Sequence, residues 1–247
     1  MNALLLRFSA NPLIAVMTCL VFAVNGHANT VIWQANSGLK PEQIANPYSL
    51  VDTAVNDPTL SSGILTIDTD IDSELMSYSM TGSALAMPAA PVIEFNMRMD
   101  SHSTSFPTLR TGAAVSITTQ NSVGNVIYIG IDEVFFLTTG GSQGPTASID
   151  TDSSFHDYRI EVAGLSAGSA ISLLQDNSLV LSHVLVTDAA NYGNEERIFF
   201  GNNTTVAHGT SEWVSFQHNA AIPEPSSLSL LLVTTAGLLL CSWGRRV

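Results

Sequence analysis

Phe155-His156-Asp157-Tyr158-Arg159-Ile160-Glu161-Val162 decides the fold. From Asp157 onward polar and apolar side chains alternate at every position, which is the two-residue period of a strand buried on one face. The same reading extends to both sides of it. Residues 63–67, 91–99, 113–119, 126–131, 134–138, 170–175, 179–186, 197–201 and 212–217 are short, apolar or alternating, and bounded by Gly, Ser, Asn, Asp or Pro. No long amphipathic helix competes: residues 39–45, with Pro41 near their start, and 188–194 are each expected to make one helical turn. Gly140-Gly141-Ser142-Gln143-Gly144-Pro145 reads as a surface loop. Short strands at this spacing predict an all-β, antiparallel two-sheet sandwich.

Both ends of the chain differ from this body. Residues 1–28 carry Arg7, an apolar run over 12–24 and the small-residue site Gly26-His27-Ala28, the pattern of a secretory signal peptide cut after Ala28. The other end holds Ile222-Pro223-Glu224-Pro225, an apolar run over 228–240, and Trp243-Gly244-Arg245-Arg246-Val247. Residues 228–243 contain no charge, so a helix is their one inexpensive state in hydrocarbon. That helix would rise about 24 Å against a core of about 30 Å, so Ser226, Ser227 and Gly244 are needed to complete a span. Arg245 and Arg246 are expected to stay cytoplasmic. The tail resembles the PEP-CTERM sorting signal of Gram-negative bacteria, in which a Pro-Glu-Pro, an apolar helix and a basic end are recognised by an exosortase. The resemblance implies that Pro223, Glu224, Pro225, Arg245 and Arg246 form a sorting signal. It also implies signal peptidase and an exosortase-type enzyme as processing partners, a transient stay in the inner membrane, and delivery to the cell surface or extracellular matrix. The chain then divides into a signal peptide (1–28), a β-sandwich (29–220) and a sorting signal with a transmembrane helix (221–247).

Composition limits what the body can meet. Its basic residues are Lys40, Arg98, Arg110, Arg159 and Arg197, against twenty acidic ones, a balance of −15. Such a surface repels nucleic acid and anionic lipid, and leaves divalent cations and neutral or cationic polymers as partners. Both cysteines, Cys19 and Cys241, fall in the targeting segments, so the body has no disulfide and depends on its core for stability.

Several strands carry a family likeness. The Phe155 to Val162 strand, the pair Ser172-Leu173-Leu174-Gln175 and Leu179-Val180 around Asp176-Asn177, and Ile198-Phe199-Phe200-Gly201 resemble the later strands of the concanavalin A-like lectin/glucanase superfamily, including laminin-G-like domains. Trp213-Val214-Ser215-Phe216 fits the final strand. The resemblance implies a jelly roll and is carried by packing residues, which enzymes, lectins and inert spacers share.

Catalytic residues do not transfer with it. Retaining glucanases set two carboxylates about 5 Å apart on one strand. Here Glu94 leads into Glu94-Phe95-Asn96-Met97-Arg98 and Glu133 into Val134-Phe135-Phe136, neither of which supplies the second acid at the required spacing. A nucleophilic cysteine and a His-x-x-x-His pair are also absent from the body's sequence. The strand around Glu94 is still the most site-like: Phe95, Met97 and Met99 point to a core, and Glu94, Asn96, Arg98 and Asp100 point away from it. On a concave sheet, Asn96 and Arg98 would donate to sugar hydroxyls, Glu94 would accept, and Tyr128 on a neighbouring strand would stack on a ring. On a merely solvated face, Glu94 and Arg98 would pair with each other. Asp68, Asp70 and Asp72 alternate as in a calcium loop, yet Ser79 stands where an EF-hand needs its bidentate glutamate; Asp150 and Asp152 form a second acidic group. His156 reads as a core-edge histidine, and Trp33 and Trp213 as core aromatics on paired terminal strands.

The sequence therefore describes an exported surface or matrix protein, structural or adhesive, with weak polysaccharide binding and calcium as its candidate cofactor. The alternative is a carbohydrate-active enzyme, a glycan hydrolase or lyase, whose site the motifs do not reveal.

Overall fold

In the computed structural model, the described residues are 31–45, 48–54, 56–69, 75–82, 85–103, 112–119, 122–187, 195–202 and 208–220. Among them no helix is long and apolar enough to cross a membrane; the segments expected to be a signal peptide and a sorting tail lie outside them, as do residues 188–194.

Two antiparallel sheets face each other. The first runs β13 (Ser178–Val184), β12 (Ala170–Gln175), β11 (His156–Val162), β6 (Val92–Ser103), β16 (His208–His218), β4 (Ile64–Thr69) and β3 (Thr59–Ser61), with β1 (Val31–Gln34) also paired to β16. The second runs β10 (Gln143–Ser148), β9 (Glu133–Leu137), β8 (Val123–Gly130), β7 (Ala113–Thr118), β15 (Arg197–Asn202), β5 (Met76–Thr81) and β2 (Ser49–Asp52), with β14 (Val186–Thr187) on β8. The terminal strands pair as expected, Trp33 opposite Phe216. Both Trp33 and Trp213 are fully buried, their indole N–H groups donating to the Leu39 carbonyl and the Ser211 hydroxyl, each at 2.8 Å.

Alternating apolar residues of both sheets meet between them. Phe200 occupies the centre of that layer, stacked on Phe216 at 4.2 Å and in contact with Trp213 at 5.0 Å and Tyr78 at 5.4 Å. The Phe-Gly ending of β15 has a steric cause. Gly201 has φ +117, and a Cβ there would stand 2.6 Å from the Met76 carbonyl oxygen, so only glycine lets β5 close on β15. Asp176 and Asn177, at φ 49 and 64, form the tight turn that joins β12 to β13.

Sequence and structure differ in several strands. The Gly140 to Pro145 stretch is a loop only at first, since β10 begins at Gln143. Strands β2, β3 and β5 were not expected from pattern, although Met76-Ser77-Tyr78-Ser79-Met80 alternates. Residues 39–45 make their turn as a 3-10 segment over Pro41–Gln43.

Candidate functional site

The outer face of the first sheet is a grid of polar side chains, with β6 at its centre, β16 on one side and β11 on the other. Register sets the rows: Gln217, Glu94 and Arg159 lie side by side, then Ser215, Asn96 and Asp157, then Glu212 and Arg98. Gln34 extends the second row through β1. The inner neighbours Phe95, Met97 and Met99 are buried, so the expected division of this strand into a core face and a polar face holds.

The pairing inside the grid is cross-strand. Glu94 accepts from Arg159 at 2.5 Å and also from the Gln217 amide, so both of its oxygens are engaged. Arg98 donates to Glu212 at 2.6 Å, with its guanidinium 5.1 Å from the Phe155 ring centre. Asn96 donates to Asp157 at 2.7 Å, and Arg159 also donates to Glu161 at 2.7 Å. The expected pair of Glu94 with Arg98 is therefore replaced by two pairs across strands. Hydrogen bonds to Glu212 and Glu161 keep both guanidinium groups above their ordinary range. Between these rows lies a groove of about 350 Å³ lined by Gln34, Glu94, Asp157, Arg159, Ser215 and Gln217, together with Asn177 of the β12–β13 turn.

Tyr128 is not part of this site. It sits on β8 in the second sheet, 2% exposed, stacked on Phe135 at 5.2 Å. With Ala114, Val126, Leu137 and Phe199 these two rings make a buried cluster on the face of the second sheet that turns away from the main core. The alternation of β8 places Ile127 and Ile129 inward and Val126 and Tyr128 outward, so Tyr128 cannot share a face with Glu94.

The second acidic group gains a member that sequence spacing did not join to it. Asp132, at the β8–β9 turn, comes together with Asp150 and Asp152 of the β10–β11 loop, one carboxylate oxygen from each within 4.8 Å of the others. Thr151 ties loop and turn together, accepting from the Asp132 amide at 3.0 Å and donating to the Gly130 carbonyl at 2.6 Å. Hydrogen bonds from the Ser153 hydroxyl and amide hold the Asp150 carboxyl below its ordinary range. Three oxygen donors of this kind suit a hard cation such as calcium. Of the first acidic group, Asp68 accepts from Thr210 at 2.8 Å, and Asp70 and Asp72 lie outside the described residues, as do Pro223, Glu224, Pro225, Arg245 and Arg246. His156 bonds Asp176 at 2.7 Å on the rim of the core, which keeps Asp176 below its usual range.

No protein-family model matches the chain, and no curated protein matches it in sequence. Among solved structures it is similar to a mutant of the Emp46p carbohydrate recognition domain, with 10% identity and TM-score 0.50, over 80% of this chain and 99% of that one. It also matches basic winged bean lectin with Tn-antigen, at 10% identity and TM-score 0.48, over 79% of this chain and 100% of that chain. At such identity the first of these likenesses bears on the fold alone, an antiparallel two-sheet jelly roll.

Proposed function

We propose that this chain is an exported, exosortase-sorted β-sandwich of the cell surface or extracellular matrix, adhesive or structural, which holds polysaccharide weakly along the outer face of its first sheet. The observation that carries the binding reading is the groove at Glu94, Arg159 and Gln217. Its amides, guanidinium and carboxylates are fixed by cross-strand bonds yet open to solvent, so they meet a chain of hydroxyls without first being ordered. The export reading rests on Pro223-Glu224-Pro225, the apolar run after it and Arg245-Arg246. Calcium belongs in this reading at Asp132, Asp150 and Asp152, where three carboxylates converge.

The purified protein on a glycan and exopolysaccharide array, with and without calcium, tests it. Saturable binding that is lost on Gln217→Ala or Arg159→Ala supports the groove. Binding unaffected by both variants, or silence in both conditions, overturns it. Dependence on calcium that disappears in Asp150→Asn places the ion at the β10–β11 loop.

A further inference from the structure

Resting on the polysaccharide reading of the groove, we infer that its ligand is cationic: a polysaccharide with free amino groups, taken up in the ammonium form, in preference to a neutral or uronate polymer. The charges on the outer face of the first sheet decide this. Glu94, Asp157, Glu161 and Glu212 stand there against Arg98 and Arg159. Both guanidinium groups are committed, Arg98 to Glu212 at 2.6 Å and Arg159 to Glu94 and Glu161 at 2.5 and 2.7 Å. A carboxylate on the ligand would meet guanidinium groups whose charge Glu212, Glu94 and Glu161 already balance, on a face that carries two more carboxylates than cations.

Acceptors, by contrast, are in surplus. Asp157 is exposed at the groove and uses one oxygen for the Asn96 amide, and Glu161 uses one for Arg159, so each keeps a carboxylate oxygen free of bonds among the described residues. An ammonium group offers three donors and no acceptor, which matches that surplus. The side-chain carbonyls of Gln34 and Asn177, both exposed on the same groove, add neutral acceptors for hydroxyls. At longer range the −15 balance of the body raises the local concentration of polycations and lowers that of polyuronates, over a Debye length of about 8 Å in physiological salt.

The purified protein is titrated with chitosan oligosaccharides, their fully N-acetylated counterparts and polygalacturonate, at low and high salt. The expected order is chitosan first, about tenfold or more tighter than the acetylated chain, with polygalacturonate not bound. Because an acidic protein attracts any polycation, the variants carry the argument. Asp157→Asn and Glu161→Gln should each reduce the preference for chitosan, and Glu133→Gln on the second sheet should leave it unchanged. Equal affinity for the acetylated chain, a preference for polygalacturonate, or an equal loss in Glu133→Gln overturns the cationic assignment while the polysaccharide reading stands. Failure of all the glycans, neutral ones included, removes both.

Discussion

The outward faces of the two sheets are built from the same alternating strands and end in opposite states. On β11 burial alternates from residue to residue, and the outward positions Asp157, Arg159 and Glu161 carry charge. On β8 every residue is buried, and the outward positions Val126 and Tyr128 are apolar or aromatic. Small and hydroxyl-bearing side chains continue that second face across the sheet: Ala114 and Ser116 on β7, Ser77 and Ser79 on β5. A strand that is apolar on both sides belongs to a covered sheet, and one that is polar on one side offers groups to solvent. Exposed polar groups therefore characterise the outer face of the first sheet, and buried apolar ones that of the second.

Truncating each face in turn gives the largest test of that division. Phe135→Ala on the second sheet should cost about 3 to 5 kcal/mol, the usual penalty for removing a buried aromatic ring. Asn96→Ala on the first should cost less than about 1 kcal/mol, since its amide bonds a solvent-exposed carboxylate. Urea melts of both variants check the pair. Comparable losses at the two positions would mean that the outer faces do not differ in kind.

The interior between the sheets answers to pH, and there the sign can be worked out. His218 is 1% exposed, neither ring nitrogen has a hydrogen-bond partner among the described residues, and burial lowers its pKa from 6.5 to about 4. The Ala220 backbone opposes the shift weakly from outside hydrogen-bond geometry. Above about pH 6.5 the ring is neutral folded or unfolded and its ionisation has no effect on stability. Between about 6.5 and 4 only the unfolded chain takes the proton, so stability should fall with pH by up to about 3 kcal/mol. His218→Phe should flatten that stretch of the curve. The lowered carboxyls of Asp150 and Asp176 act in the same direction at more acid pH, where they are protonated, and so do not account for a loss that starts near neutrality.

Strand existence was legible wherever alternation was long, and the pairing between strands was not. Glu94 and Arg98 sit on one strand about 13 Å apart along it, too far to pair, whereas register puts Arg159 directly beside Glu94. A single sequence does not state register, so the true partners Arg159 and Glu212 were invisible as partners although each is prominent as a charge. Tyr128 shows the same limit at the level of sheets: alternation told which residues share a face of β8 and not which sheet β8 joins. Asp132 reaches Asp150 and Asp152 only because the β8–β9 turn and the β10–β11 loop are bound together by Thr151. The short edge strands β2 and β3 gave almost no periodic signal, while β5 gave one in Met76 to Met80.

The smallest expected effect bears directly on the outer face of the first sheet. A double-mutant cycle on Arg98→Ala and Glu212→Ala isolates the coupling across β6 and β16, whose side chains are 34% and 18% exposed. Partial exposure screens the pair, so the coupling should be below about 1 kcal/mol and should shrink with salt. A coupling of several kcal/mol that ignored salt would make the pair a structural tie. The outer face of the first sheet would then resemble the second in role, and its charges would be unavailable to a ligand. A weak, screened coupling keeps the outer face of the first sheet the solvated one, different in kind from the covered face of the second.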